Sequence, residues 1–160
     1  MYILDANVFI EAKQTWYAFD ICPGFWDWLV GAADDELIAS TPAVYEELLP
    51  FEDELSEFAR ANDHIFFEHS RELFDATKVV NQWVESHAGF SRAHKASFLA
   101  GADPEVVACG MLTGACVVTH EKLVGEDSTK VKVPNVCKAH DVEYMRAYDM
   151  LRKHDARFSL

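Results

Sequence analysis

The chain has few of the features that mark a secreted or membrane-spanning protein. Its four cysteines include no Cys-x-x-Cys pair, so the sequence lacks the usual thioredoxin-like and zinc-ribbon spacings. No apolar run approaches the roughly 20 residues that cross a bilayer. The N-terminus has no basic stretch of the kind that begins a secretory signal. We therefore expect a cytoplasmic protein with reduced cysteines and no membrane partner.

Basic residues are scarce. The chain has 14 Lys and Arg against 27 Asp and Glu, a formal net charge of -13. Such a balance argues against a surface that coats nucleic acid, because phosphate contacts need Lys and Arg. It is compatible with an enzyme that holds a few nucleotides beside bound cations. It would also suit a basic protein partner or a purely solubilising surface.

Several other signatures are missing. There is no Gly-rich phosphate loop, no visible Ser-His-Asp arrangement, no internal repeat and no Pro/Gly/Ser-rich linker. We therefore expect a single domain over residues 1–160, large enough to bury a core without disulfides. Cys137 and His140 have the spacing of half a zinc site, with Cys22 as a possible third ligand. No fourth ligand is evident, and core packing is the favoured interpretation of the cysteines.

Short apolar runs alternate with amphipathic stretches along the whole chain. This pattern predicts a three-layer α/β/α fold with a twisted central parallel sheet. Thr41 and Pro42 have the residue types that cap and begin a helix, and Gly89 to Gly101 is predicted as mixed helix and loop. The predicted strands are 2–5, 37–40, 65–67, 115–119 and an edge strand at 131–133; the predicted helices are 6–13, 23–29, one from 42, 52–62, 70–87, 103–113 and 141–153.

Four acids lie where strands end or helices begin. Asp5 ends the first strand, and Glu121 follows the strand at 115–119. Glu47 is on the edge of the buried stripe of its helix, and Asp103 opens another helix. Each has a structural alternative: Asp103 could be a simple N-cap, and Glu47 and Glu121 could be solvated. Because ligands bind at the carboxyl ends of strands in α/β sheets, a common site explains all four together.

Clustered carboxylates favour a hard divalent cation. They repel each other and need a cation to remain ionised together, and oxygen ligands select Mg²⁺ or Mn²⁺ over zinc. Such ions can lower the pKa of a bound water and stabilise the leaving oxygen in phosphodiester cleavage. Asn7 and Thr119 could orient the ligands or the water. We therefore predict a site made of Asp5, Glu47, Asp103 and Glu121, supported by Thr119 and Asn7.

These motifs resemble those of the PIN-domain ribonucleases, including the VapC-like toxins. The matching segments are Asp5-Ala6-Asn7, Val44-Tyr45-Glu46-Glu47-Leu48, Asp103 with Val106-Val107-Ala108, and Val118-Thr119-His120-Glu121. Leu4 to Ala12, Phe19 to Trp26 and Val133 to Cys137 are similar to a PIN-like branch of uncharacterised proteins. The resemblance implies a twisted parallel sheet, an acidic Mg²⁺ or Mn²⁺ pocket, RNA cleavage, and neutralisation by a co-encoded antitoxin protein. It also makes a homodimer a reasonable expectation.

The chain departs from this pattern at position 121, where the family commonly has Asp. The extra methylene of Glu121 displaces its carboxylate by about one bond length, and Glu126 or Asp127 could supply a further ligand. The low basic content is a second departure. Local cations could compensate for it, either Arg92, His94 and Lys95 or Lys122, Lys130 and Lys132.

The aromatic-rich segment from Trp16 to Trp28 allows two interpretations. It could form a base-stacking platform for nucleic acid, but packing in the core or in a dimer interface is favoured. Three functional hypotheses remain open. The first is a metal-dependent endoribonuclease acting as the toxin of a toxin–antitoxin pair. The second is a PIN-like interaction module with little or no catalysis, and the third is a flap-type DNA nuclease.

Overall fold

A wholly parallel four-stranded sheet forms the centre of the protein. The computed structural model describes residues 1–158, so the last two residues of the predicted domain lie outside the described part. The strands are β1 (Tyr2–Leu4), β2 (Ile38–Ala39), β3 (Cys116–Val118) and β4 (Tyr144–Met145), in the spatial order β2-β1-β3-β4. Tyr2 pairs with Ile38 on one side and with Cys116 on the other, and Val117 pairs with Tyr144.

Helices cover the sheet and confirm the predicted three-layer α/β/α class. A π-helical segment at Ala12–Trp16 follows the first helix, and short 3₁₀ turns lie at Leu49–Phe51 and Asp63–Ile65. No helix within residues 1–158 is both long and apolar enough to cross a membrane. The α-helices are α1 (Ala6–Glu11), α2 (Pro23–Asp34), α3 (Pro42–Leu48), α4 (Glu54–Ala61), α5 (Arg71–Ser86), α6 (Arg92–Ala100), α7 (Asp103–Thr113), α8 (Val133–Ala139) and α9 (Ala147–Lys153).

The two central strands are apolar throughout because both of their faces are covered. Ile3 and Leu4 of β1 and Val117 and Val118 of β3 are fully buried. Parallel sheets are enclosed by helices in this way, so their strands are continuous apolar runs rather than alternating ones. The first polar side chains after these two apolar strands therefore lie at the carboxyl ends of β1 and β3.

Local signals fix several helix starts. Thr41 accepts a hydrogen bond from the Val44 N–H at 3.3 Å and Pro42 begins α3, as the sequence predicts. Asp53 and Ser56 form a reciprocal capping box at the start of α4. Val44 and Leu48 are fully buried, which confirms the predicted inward stripe of α3 and fixes the direction in which Glu47 points relative to it.

The prediction of an edge strand at 131–133 is wrong, because α8 begins at Val133. Lys132 is the extended residue before the helix, and Pro134 lies in its first turn, where a missing N–H costs nothing. The predicted helix at 141–153 is also wrong in its first half. Asp141 has a φ of 56°, a left-handed conformation that interrupts a helix. The chain then forms β4 before α9 begins at Ala147.

Three smaller predictions need correction. The predicted strand at 65–67 reduces to a single parallel bridge between Ser40 and Phe66. The helical spacing of apolar residues within 70–87 also predicts that Phe74 faces the core, but 63% of its surface is exposed, because it lies one residue off the buried stripe of α5. Ala102, rather than Asp103, is the N-cap of α7, and no side chain caps this helix. The capping role proposed as an alternative for Asp103 is therefore excluded.

Gly110 lets α7 approach β3 closely. A Cβ added there would lie 2.7 Å from Val142 Cγ1 and 3.0 Å from Val117 Cγ2. Both neighbours are stiff, buried β-branched side chains. We expect Gly110→Ala to lower the free energy of unfolding by about 1–2 kcal/mol, since the overpacking outweighs the helix-propensity gain. Denaturant unfolding measures this change.

Gly31→Ala is the matched control, because it is also helical and its added Cβ would meet nothing within 4 Å. This variant should gain up to about 1 kcal/mol from the propensity difference. If Gly110→Ala is stabilised as much as Gly31→Ala, the close packing of α7 on β3 is wrong.

Candidate functional site

The candidate site begins where β1 and β3 end side by side. Asp5 directly follows β1, and its N–H donates to the Val118 carbonyl at 2.9 Å. Thr119 directly follows β3, and the side chains of both residues are almost fully buried. The chain leaves β1 toward β2 on one side and reaches β3 on the other. This is the kind of strand-order switch at which α/β folds form ligand crevices.

Thr119 and Asn7 hold the Asp5 carboxylate with short hydrogen bonds. The Thr119 hydroxyl donates to Asp5 Oδ2 at 2.7 Å, and the Asn7 amide donates to the same oxygen at 2.6 Å. The Asn7 amide also donates to Thr119 Oγ1 at 3.0 Å. Asn7 Oδ1 accepts from the His120 N–H, and Thr119 Oγ1 accepts from the Glu121 N–H. Thr119 thus links the residue after β1 to the chain after β3.

The other three acids face the same region from three further segments. Glu47 is near the end of α3, and its Oε2 accepts from the Ala102 N–H at 3.3 Å, next to Asp103 at the start of α7. Glu121 follows β3, two residues after Thr119. The charges of Glu47 and Glu121 act on both Asp5 and Asp103, and Asp5 acts on Asp103. The structure therefore brings together all four acids that the sequence selects.

Burial and mutual repulsion disfavour ionisation within the cluster. Desolvation, with the negative charges of Glu121 and Glu47, raises the pKa of Asp5 to about 6, although the Thr119 hydrogen bond opposes the rise. Desolvation followed by the charges of Asp5, Glu121 and Glu47 raises the pKa of Asp103 to about 8. Perturbed carboxyl groups of this kind are concentrated at functional sites. They mark a place where positive charge would be bound favourably.

Lys132 supplies part of that positive charge. Its ammonium forms an ion pair with Glu121 Oε1, and the Val133 N–H donates to Glu121 Oε2 at 2.7 Å. Lys132 also lowers the pKa of Asp103, against the effect of the acids. The sequence suggested Lys132 only as one of several cations that could contact RNA. Its pairing with Glu121 depends on α8 starting at Val133, which the sequence did not predict.

The chemistry of the donor set fits a hard divalent cation. The facing groups are carboxylates, which are ligands that such a cation prefers. The positive charge near Asp5 and Asp103 is too small to offset burial and repulsion, so the pKa values of both groups stay raised. Within residues 1–158, however, no three His, Cys, Asp or Glu side chains are grouped closely enough to form a ready-made set of ligands. Glu121 is engaged by Lys132 and Glu47 by the α7 start, so binding a cation requires these side chains to reorient.

Glu105 is a site-forming residue that the sequence analysis missed. Its Oε1 accepts from the Ala43 N–H at 2.8 Å, and so it ties the start of α7 to the first turn of α3. The two helices that carry Asp103 and Glu47 are thereby joined at a second point. An acid two residues after Asp103 was the visible signal, but helix starts commonly carry Asp and Glu.

Other residues considered from the sequence lie elsewhere or have structural roles. Glu126 and Asp127 are exposed in the loop after β3, and His94 and Lys95 bond to backbone carbonyls of Thr129 and Glu85. His120 lies 3.8 Å from Glu11, and burial lowers its pKa.

The cysteine and aromatic interpretations are settled largely in favour of the core. All four cysteines are free, and Cys109, Cys116 and Cys137 are buried. Phe25 and Trp26 are buried as well, which confirms core packing for this part of the aromatic segment. Trp16, in contrast, is 61% exposed.

Replacing Thr119 tests the hydrogen-bond network directly. Thr119→Val keeps the shape but removes the donor to Asp5 and the acceptor for the Asn7 amide and the Glu121 N–H. We expect a loss of about 1–3 kcal/mol in the free energy of unfolding. We also expect the pKa of Asp5 to rise further, because a hydrogen bond to its ionised form is lost. Denaturant unfolding and carboxyl NMR titration measure the two effects.

Thr119→Ser keeps the hydroxyl and is the control for this substitution. It should retain the wild-type pKa of Asp5 and lose only the packing of one methyl group. Equal titration of the Ser and Val variants would show that the hydroxyl does not hold Asp5.

Comparison with known proteins finds a family model that matches this chain. A family model described as "Domain of unknown function (DUF4411)" matches residues 2–158, nearly the whole chain and all of the candidate site. Searches of curated proteins and of solved structures returned no match.

Proposed function

The chain belongs to the DUF4411 family, and we propose that it is a metal-dependent endoribonuclease. The observation that carries this proposal is the convergence of Asp5, Glu47, Asp103 and Glu121 at the carboxyl ends of β1 and β3. The resemblance of these segments to PIN-domain ribonucleases supports the same function. The proposed cofactor is Mg²⁺ or Mn²⁺, held by these four carboxylates.

The residues of the site have distinct tasks in this proposal. When bound, the ion supplies a Lewis acid and an activated water for attack on a phosphodiester. Asp5 would be the main residue that holds the ion, because it is the most deeply buried acid and two side chains hold one of its oxygens in place. Thr119 and Asn7 fix the orientation of Asp5. The remaining carboxylates of the site come from Asp103, Glu47 and Glu121.

The surface favours a small contact with the substrate. The net charge of -13 does not support extended binding of a phosphate backbone. A short stretch of RNA, contacted by Lys132 once it is released from Glu121, would match this charge distribution. The resemblance further supports a role as the toxin of a toxin–antitoxin pair, with an antitoxin protein and a second copy of the chain as partners.

The test is cleavage of a mixed RNA pool by the purified chain with Mg²⁺ or Mn²⁺. We expect fragments that disappear when EDTA removes the divalent ions. A matched single-stranded and flapped DNA pool is cut poorly if the substrate is RNA. Preferential cleavage of DNA flaps would instead support the third hypothesis, and no cleavage of either nucleic acid would contradict a nuclease function.

A non-catalytic interaction module is the second candidate, and one observation favours it. Lys132 and the Val133 N–H already occupy both oxygens of Glu121, so the protein neutralises part of its own cluster. The exposed side chains of Trp16 and Ile21 offer apolar contact surface for a partner. This candidate predicts no Mn²⁺ binding that depends on Asp5.

A further inference from the structure

A second surface lies on the side of α3 that presents Tyr45 and Glu46. It is a groove of about 600 Å³ between α3 and the extended chain that follows Ile65. We call it the α3 groove. Its apolar lining comes from Pro42, Tyr45, Leu49, Phe66 and Phe67. Phe67 is 37% exposed, so an aromatic surface remains open to solvent within the groove.

One wall of the groove is an open edge of the sheet. The Ser40 N–H donates to the Ile65 carbonyl at 2.8 Å, and the Phe67 N–H donates to the Ser40 carbonyl at 3.0 Å. The segment at 65–67 therefore extends the sheet by one parallel step beyond β2. Within residues 1–158, the Phe66 carbonyl and the Glu68 N–H make no hydrogen bond to another backbone group. Edge groups with this spacing can pair with an added extended chain.

The polar lining of the groove is acidic. Glu46, Asp63 and Glu68 line it, and no Lys or Arg does. The two histidines of the lining already face acids: His69 Nε2 lies 3.1 Å from Glu46, and His64 Nε2 lies 3.3 Å from Asp34. The groove thus combines an apolar floor, free backbone groups and negative charge.

We propose that the α3 groove binds an extended segment of a partner protein in which apolar residues alternate with Lys or Arg. Such a segment would add its backbone to the Phe66–Glu68 edge and place apolar side chains against Tyr45 and Phe67. Its basic side chains would face Glu46, Asp63 and Glu68. A second copy of this chain is a poorer occupant of this groove, because the groove is acidic and the chain carries 27 Asp and Glu against 14 Lys and Arg. RNA is excluded from an acidic groove for the same reason.

The proposal is tested with a labelled, end-blocked heptapeptide, Lys-Val-Arg-Val-Lys-Val-Arg, by fluorescence anisotropy on the full chain. We expect saturable binding that weakens at high salt, and no binding of the peptide with Glu in place of Lys and Arg. Glu68→Pro removes the free edge N–H without breaking an internal hydrogen bond, and it should weaken binding at least about tenfold. Glu68→Gln removes only the charge and should have a smaller effect.

Phe67→Ser is a second test that leaves the backbone unchanged, with an expected loss of at least about fivefold. Phe74→Ser removes an even more exposed phenylalanine, which lies on α5 outside the groove, and should bind like the wild type. Asp5→Asn should also bind normally, which separates this proposal from the nuclease. No saturable binding, or binding that Glu68→Pro and Phe67→Ser leave unchanged, overturns the proposal. So does sedimentation that reveals a dimer disrupted by these two substitutions, since the occupant is then a second copy.

Discussion

Asp5→Asn is expected to abolish RNA cleavage while leaving the protein at least as stable as the wild type. Asp5 is buried, and one of its oxygens is held by both Thr119 and Asn7. An Asn side chain fits the same space and can still accept a hydrogen bond, but it is a far weaker ligand for a divalent ion. We expect the cleavage rate to fall by about 10³-fold or more, equivalent to about 4 kcal/mol in the barrier.

Stability should move in the opposite direction from activity. The pKa of Asp5 is raised to about 6 by burial and by neighbouring acids, so the ionised carboxylate is a cost in the metal-free protein at neutral pH. A neutral Asn avoids that cost. Glu46→Gln is the control, since Glu46 is the exposed neighbour of Glu47 on the same helix. Wild-type cleavage by Asp5→Asn, or equal loss in Glu46→Gln, would contradict the assignment of the site.

The second large effect is a loss of stability in the metal-free protein as the pH rises. The pKa of Asp103 is raised from 3.8 to about 8, and that of Asp5 from 3.8 to about 6. The folded state therefore binds more protons than the unfolded state between about pH 4 and about pH 8. The stability contributed by these two groups is complete below the unfolded pKa of 3.8. It is lost as the pH rises through the folded pKa values of about 6 and about 8.

Asp103→Asn removes most of this dependence. Compared with the wild type in the presence of a chelator, the variant should be more stable at about pH 8 by at least about 1 kcal/mol and similar at about pH 4. Asp27→Asn, an exposed acid on α2, should follow the wild-type curve. Denaturant unfolding across this pH range measures the difference. Parallel curves for wild type and Asp103→Asn would show that the cluster does not raise the pKa of Asp103.

The strand ends of the site were predictable because their physical causes are local. A short β-branched run at 115–119 must be buried, and a polar residue that ends or follows such a run lies at the carboxyl end of a parallel strand. The same reasoning places Asp5 after β1. The inward stripe of Val44 and Leu48 indicates where Glu47 lies on α3. These rules act within one element, so a single sequence contains them.

The missing parts depend on contacts between distant segments. Val131 and Val133 are both buried, and this alternation is typical of a strand. Nevertheless α8 begins at Val133, with Pro134 in its first turn. The true fourth strand has only two residues, and it exists because β3 offers an edge for pairing. Lys132 meets Glu121 as a consequence of that α8 start. The Glu105 bond to α3 joins residues 62 positions apart, which no local pattern encodes.

Calorimetric titration with Mn²⁺ measures directly whether the acidic cluster binds a divalent cation. We expect millimolar or tighter binding by the wild type at neutral pH, release of protons from Asp5 and Asp103 on binding, and loss of the signal in Asp5→Asn. Absence of binding, or equal binding by wild type and Asp5→Asn, would contradict a metal site at the ends of β1 and β3.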